Sequence, residues 1–310
     1  MKKITASGLI MLLILFCFSA CTGEGFPISV DGERIPSGVY AYYYSSLSDR
    51  DKTIEKCMSD IAAQRLMKQE GITLSANYKR IVADETDSKW SMFSAYYESI
   101  GVTKQDITTA LTMEYNRKEL LDYYYGENGK EPVSTEKIKS QLDKTYVGFK
   151  AIEASYMKLS GMGESVSLSA AEKKKLKSRF ESMAESINKG TMTINDANES
   201  YNESIGIIVT QNPETALIKK GDVLYSDSFF DEVSKLGKGK AGVIESGNTV
   251  YLVQRQTITN EDDGFVFMYR SEMLEILKMK AVEKKLAEVS EGFNVKINKS
   301  LCKDTEEKII

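Results

Sequence analysis

Three successive runs between residues 50 and 125 carry apolar residues at helical spacing, and near residue 148 that pattern stops. This change of period constrains the fold more than any other feature. A spacing near 3.6 buries one stripe of a helix, whereas a spacing of two buries one face of a strand. The first run, at about 50–70, sets Ile54, Cys57, Met58, Ile61 and Leu66 on one stripe, and Gly71 reads as its C-terminal stop. Leu74-Ser75 caps the second, 76–100, whose apolar face includes Tyr78, Ile81, Trp90, Phe93 and Tyr97, and Gly101 ends it. Thr103-Lys104-Gln105-Asp106 is an acidic relative of a capping box ahead of a helix at 104–125. Before these runs, Ile28-Ser29-Val30 reads as a strand ending in an Asp31-Gly32 turn, and Ile35-Pro36-Ser37 opens a helix with Val39, Tyr40, Tyr43 and Tyr44. Ser134 caps a further helix to about Tyr146. The spacing therefore predicts an N-terminal helical bundle.

The middle of the chain reads differently. Phe149 to Leu159 has little helical period and is read as a strand. Ser169-Ala170-Ala171-Glu172 is a capping box, and the helix behind it aligns Leu176, Phe180, Met183 and Ile187 before Gly190 closes it. A short helix at Ile194–Asn198 and a β-branched strand at Ile205–Val209 follow. Ser226 caps a helix with Phe229, Phe230, Val233 and Leu236, and Ala241–Glu245 and Thr249–Thr257 form a hairpin around Ser246-Gly247-Asn248. The order β-α-α-β-α-β-β predicts a compact α+β domain. After residue 264 the chain returns to helix, with Met268, Met273, Ile276, Leu277, Val282, Leu286 and Val289 on its buried side. Phe293–Asn298 reads as a terminal strand, and Lys303–Lys308 as a frayed, solvated end. This last segment is too small for its own core and is expected to pack on the N-terminal bundle, making the middle domain an insertion. The predicted divisions are 1–20, a tether at 21–27, 28–147, 148–259 and 260–310.

The first twenty residues have their own order: basic Lys2-Lys3, an apolar stretch from Gly8 to Phe18, then small Ser19-Ala20. That is the order of a secretory signal, and the apolar stretch falls short of the roughly 20 residues that span a bilayer as a helix. Phe18-Ser19-Ala20-Cys21 resembles the bacterial lipobox, whose cysteine is lipidated and becomes the new N-terminus. Leu is usual at the position of Phe18. The resemblance implies a chain anchored to the extracytoplasmic face of a bacterial cell membrane through Cys21. Removing Lys2 and Lys3 lowers Lys+Arg from 41 to 39 against 45 acidic residues, a net charge of −6. That argues against a nucleic-acid surface, which needs a clustered basic field. Cys57 and Cys302 remain in the folded body, and one disulfide and two free thiols both fit the sequence.

There is no histidine. Its absence removes Ser-His-Asp and Cys-His nucleophilic sites, His-ligated zinc and any histidine general base. No phosphate-cradling glycine loop, CxxC or acidic cluster with metal-ligand spacing is present either, so no cofactor or metal is expected.

The ordered pattern resembles extracytoplasmic foldases of the SurA and PrsA kind. Val30-Asp31-Gly32-Glu33-Arg34-Ile35-Pro36-Ser37 looks like their opening turn into a helix. Ile152–Leu159 looks like the first strand of their parvulin-type peptidyl-prolyl isomerase domain, and Lys189-Gly190-Thr191-Met192 like the end of its long helix. Phe229–Lys238 and Ala241–Val253 resemble its later helix and closing hairpin. The resemblance implies an α+β protein with a helical chaperone lobe built from both chain ends and an inserted parvulin-like domain. It implies partners that are unfolded or partly folded secreted polypeptides, and it leaves monomer and homodimer open.

Tyr156 and Thr249 stand where active parvulins carry histidines. Leu224 or Val223 falls near their pocket methionine, and Phe229 or Phe230 at their pocket phenylalanine. Rotation about an X-Pro bond faces a barrier of about 18–20 kcal/mol, and isomerases lower it by seating proline in an apolar cup that favours the twisted amide. Tyr156 and Thr249 could hydrogen-bond but cannot supply an imidazole pair, so isomerase activity is expected to be weak or absent. A working isomerase and a solute-binding or adhesion lipoprotein are the alternatives. On the helical lobe, Tyr40, Tyr42, Tyr43, Tyr44, Trp90, Phe93, Tyr96 and Tyr97 are candidates for client contact. Tyr42 and Tyr96 fall off the main stripes and are the better candidates for exposed contact.

Overall fold

The structure is a computed structural model that describes residues 25–309 except 162, 210 and 259–262, so Cys21 lies outside the described residues. The chain is α+β. It opens with β1 (Ile28–Val30) and β2 (Glu33–Ile35), followed by α1 (Ser37–Leu47), α2 (Arg50–Glu70), α3 (Ala76–Ser99) and α4 (Lys104–Tyr125). Next come α5 (Thr135–Thr145), β3 (Val147–Ser155), β4 (Met157–Leu159), β5 (Ser165–Ser167), α6 (Ala170–Lys189) and α7 (Ile194–Ser204). β6 (Ala216–Ile218), α8 (Asp227–Lys235), β7 (Ala241–Ser246), β8 (Thr249–Gln256), α9 (Asp263–Ser290), β9 (Val295–Ile297) and α10 (Lys299–Glu306) complete it. Two compact units result. Of the described residues, one holds those up to Pro132 together with those from Lys278 onward, and the other those within Val133–Leu277.

In the first unit β1 is the middle strand of a three-stranded antiparallel sheet, pairing β2 on one side and β9 on the other. The β1–β2 turn needs positive φ at both central residues, and Asp31 (φ 50) and Gly32 (φ 89) supply it. Around the sheet, Ile28, Val30, Val39, Tyr40, Tyr43, Cys57, Ile61 and Cys302 are buried in one cluster. Both thiols are free, and burial pushes that of Cys57 up to about 12.

The C-terminal end departs from the sequence expectation. Residues 303–308 are not frayed: α10 runs to Glu306, whose side chain is buried. Arg50 grips its carboxylate through Nε (2.7 Å to Oε1) and a second nitrogen, and the Tyr40 hydroxyl donates to Oε1 at 2.7 Å. A run of charges in sequence looks solvated because the cation that pairs with it lies more than 200 positions away. The Arg50 hydrogen bond is the main reason the carboxyl titrates below its ordinary value of 4.5. A carboxyl held low in the folded state adds stability above its unfolded pKa, and that stability disappears as pH falls through the folded pKa. Glu306→Gln is therefore expected to cost about 2 kcal/mol at neutral pH. The difference from the parent should shrink in thermal melts below about pH 4. A penalty independent of pH would assign Glu306 a packing role only.

In the second unit the sheet order is β6-β3-β8-β7, all antiparallel. Thr193 and Ser169 head capping boxes for α7 and α6. The hairpin of β4 and β5 interrupts the expected single strand Phe149–Leu159. Ile205–Val209 forms no strand. Gly206 (φ 74) and Ile207 close α7 with backbone N–H bonds to the carbonyls of Glu203 and Asn202. This is the Schellman pattern, which uses the first residues of the apolar run as a helix cap. The edge strand is β6 instead. Within α9, Met268 and Ile276 are exposed, whereas Leu274 is buried alongside Met273, Val282 and Leu286.

Candidate functional site

Strand alternation decides which of the sequence-selected residues share a surface. In β3, Ile152, Ala154 and Tyr156 pack with Phe180, Met183 and Ile187 of α6 and Ile194, Ala197 and Tyr201 of α7. Val147 and Phe149 point the other way, with Phe229 and Val233 of α8, Ile244 of β7 and Val253 of β8. Tyr156 and Phe229 therefore lie on opposite faces of the sheet.

Tyr156 is buried, and its hydroxyl donates to Glu245 Oε1 at 2.5 Å rather than to Thr249. Lys177 donates to the other oxygen of Glu245, and the Lys173 ammonium lies 5.3 Å from the Tyr156 ring centroid. The lysine, and then the phenol, hold the Glu245 carboxyl below its usual range. Burial, and then the bond to Glu245, push the Tyr156 phenol up, so it stays protonated. This constellation stabilises charges already present and offers no free base.

The α8 face is aromatic. Phe229 is 1% exposed. Its ring stands 4.8 Å from Tyr225 at 24°, 5.0 Å from Tyr251 and 5.5 Å from Phe149. Phe230 packs against the same cluster. Thr249 begins β8 on this face, flanked in register by Ser155 and Ser246, and the next row is Glu153–Tyr251–Ile244. Val223 and Leu224, 98% and 83% exposed, stand out from the preceding loop. Phe229 and Thr249 thus share a face that Tyr156 does not, while Phe229 is enclosed by other rings. Sequence reasoning missed Tyr225 and Tyr251. Tyr251 was detectable, since a strand residue two past Thr249 must share its face. Aromatic walls with a hydroxyl row can seat an apolar or prolyl side chain by contact and hydrogen bonding.

The helical unit carries a second surface. At Phe93 the backbone of α3 leaves the helical region (φ −134, ψ 18). Around that kink Met92, Phe93 and Tyr96 are 63%, 50% and 45% exposed. Their hub is Tyr97, buried, with ring centroids of Tyr42 at 6.0 Å, Tyr96 at 5.7 Å and Phe93 at 6.3 Å. Tyr42 is half-buried. The structure therefore brings Tyr42 and Tyr96 onto one ring although they are far apart in sequence. Tyr40, Tyr43 and Tyr44 are core residues, and Trp90 is half-buried.

Among the described residues no helix is long and apolar enough to cross a membrane, and no group of three or more His, Cys, Asp or Glu could hold a metal. The chain is thus an α+β protein of two units, a helical bundle with a small sheet drawn from both chain ends and a four-stranded antiparallel sheet with helices on both faces. No family model and no curated protein matches it. Among solved structures it is similar to the foldase protein PrsA from Lactococcus lactis, at 14% identity and a TM-score of 0.39, over 92% of this chain and 99% of that one. It is also similar to PrsA from Streptococcus pneumoniae, at 10% identity and a TM-score of 0.39, over 91% and 98%. For PrsA from Bacillus subtilis the values are 13%, 0.32, 86% and 91%. These likenesses are too distant to transfer a residue's role.

Proposed function

We propose that this chain is a folding helper for secreted polypeptides, and that it captures extended clients on the aromatic patch of its helical unit. The observation that carries the reading is the exposure of Met92, Phe93 and Tyr96 around Tyr97. Contiguous exposed apolar surface is costly to leave in water unless something covers it, and flat aromatic contact tolerates many sequences. The sheet unit is a peptidyl-prolyl isomerase-type module with weak or absent turnover. The lack of any histidine and the placement of Tyr156 and Phe229 on opposite faces support this.

The test pairs two assays on the full chain. Aggregation of a chemically unfolded client should be suppressed in proportion to the chain added. In a protease-coupled assay on a proline tetrapeptide, turnover should stay within about twofold of the uncatalysed rate, which takes tens to hundreds of seconds. No suppression would sink the capture reading. Fast turnover lost on Thr249→Val would make the sheet unit a working isomerase.

The reading includes an anchor at Cys21, on the outer face of a bacterial cell membrane, supported by the order Lys2-Lys3, Gly8–Phe18 and Ser19-Ala20-Cys21. A single acyl chain holds a protein only marginally, and two or more hold it firmly. Cys21→Ser is expected to move the protein out of the membrane fraction or to block its maturation, whereas unchanged fractionation would contradict the anchor.

A further inference from the structure

The run Ile205–Val209 is strand-like in sequence, yet it has no strand partner, and the Schellman cap of α7 directs it outward. Ile205, Ile207 and Ile208 are 50%, 52% and 88% exposed. Together with Glu199 and Glu203, residues 206–209 line a groove of about 460 Å3. The two glutamates stand one helical turn apart, both are exposed, and neither is in an ion pair among the described residues. One turn earlier on the same helix face, Asn195 has a buried Oδ1 without a hydrogen-bond partner among the described residues. The groove thus combines exposed β-branched side chains with two carboxylates, and none of its lining residues is cationic.

We infer that this groove is a second docking site, and that its occupant is an extended polypeptide segment in which Lys or Arg alternates with aliphatic residues. Charge complementarity selects the basic residues for Glu199 and Glu203, and the exposed Ile208 at the groove gives the intervening aliphatic ones an apolar contact. Apolar contact with Ile207 and Ile208 tolerates many aliphatic side chains, so charge pattern sets the preference. The inference rests on the client-capture reading only for the source of the peptide.

The probes are two short proline-free peptides, one alternating Lys with Val and the other alternating Glu with Val, titrated into the full chain by fluorescence anisotropy. The Lys peptide should bind at least about tenfold more tightly than the Glu peptide at low salt, and the difference should fall with added salt. Glu199→Gln with Glu203→Gln should weaken the Lys peptide about tenfold, and Glu199→Lys with Glu203→Lys should reverse the preference. Ile208→Ser, at a side chain exposed enough not to disturb folding, should weaken the Lys peptide's aliphatic contact about fivefold without changing the charge of the groove. Equal binding of both peptides, or a glutamine variant indistinguishable from the parent, overturns the site. Selective Lys-peptide binding without suppression of client aggregation would leave the groove standing and remove the capture reading.

Discussion

Met92→Ser, Phe93→Ser and Tyr96→Ser in one chain are expected to lower client affinity by about tenfold to a hundredfold, with little change in the unfolding midpoint. The asymmetry follows from exposure. These side chains are about half in water already, so folding gains little from them and their loss costs the folded state little. A client covering them removes the rest of that surface from water, and at about 25 cal/mol per Å2 three such contacts account for a few kcal/mol. Tyr97→Ser is the contrasting variant. Its ring is buried among Tyr42, Phe93 and Tyr96, so its loss should lower stability and capture together. Aggregation suppression by the triple variant equal to that of the parent would place client binding elsewhere.

Asp60→Ala should cost about 3–5 kcal/mol of stability, read from urea unfolding by circular dichroism. Asp60 is fully buried in α2. Its carboxylate accepts from Lys56 at 2.7 and 2.9 Å and from the Tyr43 hydroxyl of α1 at 2.7 Å, and Arg117 of α4 is 3.4 Å away. Removing it strands two cations whose side chains are only 19% and 21% exposed. Burial already disfavours the Lys56 ammonium, so without Asp60 part of the cost will be met by its deprotonation. Asp60→Asn, which keeps the shape and a hydrogen-bond acceptor, should cost less. A loss below about 1 kcal/mol for the alanine variant would mean that water reaches the pair more freely than the burial implies.

Most helices were legible because their signals are local. Asp49, Ser75, Thr103, Ser134, Ser169, Thr193 and Ser226 each accept a backbone N–H at the start of a helix, and Gly71 and Gly190 close two of them. Ile205–Val209 misled because β-branched residues favour strands only where a neighbouring strand exists, and pairing is non-local. Glu306 misled for the same reason: its partner Arg50 is invisible from the C-terminal sequence. At the candidate sites, Thr249 and Phe229 stand on one face and Tyr156 on the other, because odd and even strand positions diverge. A resemblance in sequence order does not show that divergence.

The sequence by itself determined the helical start, the α+β middle, the absence of imidazole chemistry and the lipobox-like order ending at Cys21. These depend on residue type and short-range spacing. The tertiary structure alone decided that β1 pairs with β9, that Tyr42 and Tyr96 meet on Tyr97, and that Tyr156 bonds Glu245 instead of Thr249. Each joins residues far apart in the chain, and the entropy of closing such loops is overcome only by burial that no local segment can supply.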